Sequence, residues 1–267
     1  MAGVITASEP FWTVPFSGLT PRRFGKLVSE LRREGADPVR EGRPWSLPLE
    51  DRVLLVAACW RTNPALRQLA LLFGISKSAA DRITGHPGPS PALHPRRRFR
   101  KDTVLIVDGT PVPTRDHTVA ERSKNHRYAT NHQVVIDADS RPVAAVGRPL
   151  PGNRNDCKAW EPSGAKDAVG RTAVIADGGY RVTGLVIPPR RDRGQTEPPA
   201  RKEEHSASHR KVRARAEHVF ARTKSWRILR DCRLKGDGVH HAVLGIARLH
   251  NLALAGDRET GGPTSTP

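Results

Sequence analysis

Cysteine, methionine and tyrosine are scarce in this 267-residue chain, which has 3 Cys, 1 Met and 2 Tyr. Cys59, Cys157 and Cys232 are odd in number and widely spaced, with no CxxC pair. That pattern argues against a disulfide framework and against a zinc ribbon. His205 and His209 have helical i,i+4 spacing, but no third ligand at zinc spacing accompanies them, so no zinc site is expected. Long hydrophobic runs are missing as well. No stretch approaches the ~18 apolar residues needed to span a bilayer. The opening MAGVITASEPFW lacks a basic n-region followed by an apolar h-region. With 37% hydrophobic residues and a mean hydropathy of −0.53, a soluble cytoplasmic protein with no membrane partner is expected. Acidic residues are outnumbered, 27 Asp+Glu against 45 Lys+Arg, giving a formal net charge of +18. An excess on this scale predicts a polyanionic partner, most simply nucleic acid, with binding that weakens steeply in salt.

The length allows one large domain, or one domain with a small appendage. Residues 15–35 read as a helix, with Phe16, Leu19, Phe24, Leu27, Val28 and Leu31 on a helical period and Pro21 in its first turn. Three more apolar-periodic segments follow at 48–60, 64–73 and 76–84. Gly74 suits a sharp turn between the last two, and Ser76 suits the N-cap of the third. ALRQLALLFGISKSAADRI therefore resembles a helix-turn-helix. Leu66, Leu69, Ala70 and Phe73 would face the core from its first helix, Ile75 would plug the turn, and Ala79 and Ile83 would pack from the second. Lys77, Ser78 and Arg82 would point outward to the major groove. An ordinary helical hairpin has the same pattern. Residues 86–101 are Pro-rich and then basic, a domain boundary. There Arg96, Arg97 and Arg98 either track a phosphate backbone or belong to a solvated linker.

After residue 101 the pattern changes. TVLIVDG, NHQVVIDA, PVAAVGRPL, TAVIADG and GLVIPP are Val/Ile-rich runs bounded by Gly, Pro and Asp, which are strand signals. DADSRP predicts a turn between the second and third, making them an antiparallel hairpin. A short helix is expected from Asn155 to about Lys166, a flexible loop over 190–205, and helices over 206–228 and 238–254. The order predicts an α/β fold, a mixed sheet flanked by helices.

Three carboxylates stand out. Asp108 follows VLIV and Asp177 follows AVIA, so each is expected at a sheet end, where ligands gather in α/β folds. A turn-starting Asp has the same signature. Glu217 lies on the margin of an apolar stripe formed by Val212, Ala216, Val219, Thr223 and Trp226, with Arg213 four residues earlier; a plain salt bridge is the simpler account. Asp137 is explained by the DADSR turn, and Asp156 by a helix cap. Carboxylates within a strongly basic chain fit metal ions acting on a phosphate backbone. Mg²⁺ prefers hard oxygen ligands, and two ions can clamp a scissile phosphate from both sides.

The segments VDGTP (107–111), NHQVVIDADSR (131–141), RPLPGNRND (148–156), IADGGY (175–180), HRKVRARAEHVFARTKSWRILR (209–230) and AVLGIARLHNLAL (242–254) together resemble the DDE transposases of bacterial insertion sequences. The likeness runs from about residue 48 to 255. It implies an RNase H-like core over 102–256, preceded by a small all-α helix-turn-helix domain over 1–85 and a linker over 86–101, and followed by a disordered tail over 257–267. It implies that Asp108, Asp177 and Glu217 are the catalytic and metal-binding triad, holding two Mg²⁺ ions for which Mn²⁺ can substitute. Arg213 matches a basic residue one turn before the catalytic Glu, positioning it or contacting DNA, and Gly178, Gly179 and Tyr180 match the segment after the second Asp. Asn155 departs from the pattern, since relatives often carry His there, and residues 111–130 match poorly. The implied partners are the terminal inverted repeats and target DNA, with a homodimer or larger assembly in the synaptic complex. Two other readings stay open: a transposase-derived DNA-binding protein without catalysis, and a nuclease that only hydrolyses.

Overall fold

The computed structural model describes residues 4–37, 44–85, 93, 98–123, 126–189 and 200–260. Two compact units emerge. One joins residues 1–93 to 224–267 and the other is 94–223.

The first unit is helical: α1 (Thr13–Ser17), α2 (Pro21–Arg33), α3 (Leu49–Thr62), α4 (Leu66–Leu72) and α5 (Lys77–Gly85). The helix expected over 15–35 breaks at Gly18, where φ is +75°, and restarts with Pro21 in the first turn of α2. Proline suits that place because the N–H it lacks has no intrahelical partner there. Phe24, Leu27, Val28 and Leu31 form the buried stripe of α2. α3 is buried round most of its circumference.

The turn between α4 and α5 follows its local chemistry. Gly74 takes a φ of +62°, and the Ile75 N–H donates to the Ala70 carbonyl (3.0 Å). Ser76 Oγ accepts the Ala79 N–H (3.1 Å), the N-cap that the sequence predicts. Leu69, Ala70, Phe73 and Ile83 are buried, but Ala80, not Ala79, is the small residue buried in α5.

The second unit is built on a six-stranded mixed sheet. Its strands are β1 (Val104–Pro113), β2 (Glu121–Arg122), β3 (Tyr128–Asp137), β4 (Val143–Val146), β5 (Leu150–Pro151) and β6 (Ala173–Ile175). The spine is β2-β3-β1-β6, with β4 and β5 also paired to β3. β3 is antiparallel to β1 and β4, whereas β6 is parallel to β1. This is the RNase H-like α/β arrangement that the resemblance implies. Asp137 makes the predicted turn, its Oδ1 accepting the N–H groups of Asp139 (3.1 Å) and Ser140 (2.9 Å).

Several elements differ from expectation. The helix expected from Asn155 is two short pieces, α6 (Asp156–Ala159) and α7 (Ala165–Val169). GLVIPP contributes only a parallel bridge from Val186 to Ile175. The long helix α8 (Ala200–Lys224) begins within the segment expected to be a loop, and 190–199 lies outside the described residues. α9 (Gly238–Thr260) reaches into the expected tail.

One face of the sheet carries the core of this unit: Leu105, Val107, Val135, Ala145, Trp160, Val169, Val174 and Tyr180. Trp160 meets Tyr180 edge to face, with ring centroids 6.3 Å apart, a geometry that ring quadrupoles favour.

Candidate active site

Asp108 does not end its strand. β1 continues to Pro113 because residues 105–113 pair without interruption to 129–137 of β3, with Asp108 opposite Val134. The functional edge lies on the other side: β6 pairs only with Val104–Ile106, so Asp108 stands two residues past the point where its parallel neighbour stops. Successive strand side chains alternate between faces. Leu105 and Val107 point into the core, so Asp108 projects from the opposite face and Gly109 returns to the core face.

Asp177 follows β6 and sits in a tight turn. Its Oδ1 accepts the Gly179 N–H (2.7 Å) and its carbonyl accepts the Tyr180 N–H (3.2 Å). A side chain at Gly179 would press on that same Oδ1, which explains a glycine there. The turn drives Tyr180 into the core, where it is 1% exposed, and its hydroxyl donates to Gln133 Oε1 on β3 (2.6 Å). Burial pushes the Tyr180 phenol well above its ordinary range, and Asp156, Asp108 and Asp177 push it in the same direction.

α8 supplies the third side. His209 is buried, its Nε2 3.3 Å from the Val186 carbonyl. One turn on, Arg213 Nη2 lies 3.9 Å from Asp177 Oδ2, a loose ion pair, so Arg213 faces Asp177 where sequence spacing offered Glu217. Glu217 is exposed. It continues the same stripe, since a step of four residues turns the helix by about 40° and advances it roughly 6 Å. The donors are hard carboxylate oxygens, the class that suits Mg²⁺. Together with the parallel register that sets Asp108 level with Asp177, two residues past the Ile106–Ile175 pair, they fit a divalent ion. Among the described residues, no three potential ligands have already converged.

The other nominated residues divide. Lys77 and Ser78 at the start of α5, and Arg98, are exposed. Arg82 does not point freely outward; it is half-buried, with its guanidinium 5.1 Å from the centre of the Trp45 ring. Arg96 and Arg97 lie outside the described residues.

Sequence reasoning missed Asp156. The cap of α6 is Asn155, whose Oδ1 accepts the Lys158 N–H (3.0 Å). Asp156 is thereby free for tertiary contacts, and its Oδ1 accepts from Asn131 Nδ2 (2.9 Å) and Gln133 Nε2 (3.2 Å). A signal was present: Asn131 and Gln133 are two amides at i,i+2 on a strand otherwise buried, and buried amides need partners.

Comparison with known proteins gives two family matches. The family described as "Transposase DDE domain" matches residues 99–252, and "Helix-turn-helix of DDE superfamily endonuclease" matches 45–86. A protein of Streptomyces albus G, described as a transposase for insertion sequence element IS112, is 77% identical over 96% of this chain and 100% of its own length. One of Microchaete diplosiphon, described as a transposase for insertion sequence element IS702, is 23% identical over 80% of this chain and 83% of its own.

Proposed function

Because this chain belongs to the DDE transposases of insertion sequences, we propose that Asp108, Asp177 and Glu217 form its catalytic triad and that it cuts the ends of its own element and joins them to target DNA. The observation that carries this reading is the parallel register of β1 and β6, Ile106 opposite Ile175, which carried two residues further sets Asp108 level with Asp177, with α8 approaching Asp177 through Arg213. Dependence on a divalent metal goes with the family; here Asp108, Asp177 and Glu217 would hold two Mg²⁺ ions, replaceable by Mn²⁺, which would supply Lewis acidity at the scissile phosphate and an activated water. Arg213 offsets the repulsion between Asp177 and the DNA phosphates. The 201–235 segment, with 12 Lys+Arg against 4 Asp+Glu, lines the DNA around the site.

Hydrolysis breaks a P–O bond at the element end and leaves a 3′-OH. That hydroxyl then attacks a target phosphodiester, forming one P–O bond as another breaks, with no covalent protein intermediate. Residues 1–85 bind the terminal inverted repeats through Lys77 and Ser78. Residues 86–101 link them to a catalytic segment over 102–256. Pairing of two ends calls for at least a homodimer. No helix among the described residues is long and apolar enough to cross a membrane, and the proposed site of action is the cytoplasmic nucleoid.

The test is Mg²⁺-dependent cleavage and joining of labelled DNA carrying the element's own ends, comparing the wild type with Asp108→Asn. Loss of both products in the variant, with DNA binding retained, is the expected result. Equal activity in both proteins removes Asp108 from the site. Binding without cleavage in either favours a non-catalytic DNA-binding protein, and cleavage without joining favours a nuclease.

A further inference from the structure

A connected set of buried and part-buried hydrogen bonds lies on the core face of the sheet, behind Asp108. Tyr180 donates its hydroxyl to Gln133 Oε1 (2.6 Å). Gln133 Nε2 donates to Asp156 Oδ1 (3.2 Å) and to Asn131 Oδ1 (3.1 Å). Asn131 Nδ2 donates to Asp156 Oδ1 (2.9 Å) and to the Arg154 carbonyl (3.1 Å). Gln133 is fully buried and Asn131 nearly so. Each amide nitrogen has two protons, and both are used.

The set has a direction, and Asp156 gives it. A carboxylate accepts hydrogen bonds and repels carbonyl oxygens, so it turns the NH₂ ends of Asn131 and Gln133 towards itself. Gln133 must then present its oxygen to Tyr180, and the tyrosine must donate. The Asp177 turn is thereby tied to β3 through a bond of fixed polarity. At the other end Asp156 is seated against β1, because a Cβ at Gly109 would collide with its Oδ1 and lie 3.0 Å from Gln133 Nε2. Gly109 is the residue that follows Asp108.

We propose that Asp156, Gln133, Asn131 and Tyr180 act as positioning residues that set the spacing between Asp108 and Asp177 for metal binding. Asp108 is fixed through Gly109 against Asp156, and Asp177 through Tyr180 against Gln133. The set lies across the sheet from the Asp108 side chain, so it orients the ligands without joining them. This inference rests on the triad reading above and assigns the span 131–156 a role beyond holding the sheet together.

The experiment measures Mn²⁺ binding to the full chain without DNA, by the loss of the free-ion electron paramagnetic resonance signal, and the metal-free melting temperature alongside it. The variants are Tyr180→Phe, which keeps the ring against Trp160, and Asp156→Asn, which keeps the shape and removes the charge that directs the amides. Each should raise the half-saturating Mn²⁺ concentration about tenfold or more, the scale seen when groups that orient metal ligands are lost. Cleavage should recover at high Mn²⁺. Unchanged Mn²⁺ half-saturation in Tyr180→Phe and Asp156→Asn, with only melting lowered, overturns the proposal. Asp108→Asn separates the two ideas. If it weakens Mn²⁺ binding while the positioning variants do not, the triad stands and this inference falls. If it binds Mn²⁺ like the wild type, the triad reading falls and takes the inference with it.

Discussion

The helical unit and the sheet unit use charge in opposite ways. In the helical unit cations are consumed by the structure. Arg248 on α9 is 8% exposed and pairs with Glu30 on α2 (3.1 Å) and with Glu34, the C-cap of α2 (2.8 and 3.0 Å). Arg52 is buried, pairs with Asp37 and approaches Trp45, where Arg82 also sits. Arg61 lies over Trp226, 3.6 Å from the ring centre. In the sheet unit hydrogen bonds go instead to carboxylates: Asp156 receives two amides and Asp177 a backbone N–H. A formal charge of +18 is thus no count of DNA contacts, since part of it is spent inside the helices.

Asp177→Asn should break the sheet side of this contrast most severely. A loss of end cleavage by about a thousandfold is expected, the scale of removing a principal electrostatic group, with the melting temperature nearly unchanged. Comparable cleavage by this variant would leave the turn after β6 a structural feature only. Gly109→Ala should follow, because the added methyl displaces Asp156. Misplacing a site by about 1 Å costs on the order of a hundredfold in rate, and single-turnover cleavage would measure it.

Arg248→Met should act on the other side of the comparison. Removing one partner of a buried ion-pair cluster costs about 3 kcal/mol, readable by urea unfolding, while Mn²⁺ binding stays at the wild-type level. A shift in Mn²⁺ affinity would dissolve the contrast. Lys77→Ala and Arg82→Ala sharpen it further. Loss of a phosphate contact at Lys77 should reduce the salt slope of DNA binding by about one. Arg82→Ala should leave that slope in place and lower stability by about 1 kcal/mol, between the values for an exposed and a desolvated cation–π contact.

The smallest effect concerns pH. Burial pushes the Cys59 thiol up to about 12, with Cys232 adding to the rise. A folded value above the unfolded one means that its stabilising contribution is complete below pH about 9, the ordinary thiol range. It is lost as pH rises towards 12. Cys59→Ala should flatten the alkaline part of a stability–pH curve, and in the wild type Cys157, which is less buried, should react with maleimide before Cys59 or Cys232.

Much of the fold was legible because its causes are local. Ser76 announced a cap, Gly74 a left-handed turn and Pro21 a first helical turn, and each does that work within a few residues. Four of the five Val/Ile runs form strands, and GLVIPP forms only a bridge. Their lengths were harder to read: Asp108 was expected at the end of β1, yet the pairing with β3 carries the strand five residues further. Arg82 has the spacing of an exposed recognition-helix residue, and Trp45, far off in sequence, claims it. Asp156 has the local pattern of a helix cap, a role that its neighbour Asn155 fills.

Taken by itself, the sequence determined the element types, the turn chemistry and the order of the carboxylates, because periodicity, capping and backbone preference act over one or two turns of chain. Only the tertiary structure decided which polar groups work together. Asp156 meets Asn131 across 25 residues and Tyr180 meets Gln133 across 47. Those pairings exist because amides buried by folding must find partners on whatever elements the sheet brings beside them.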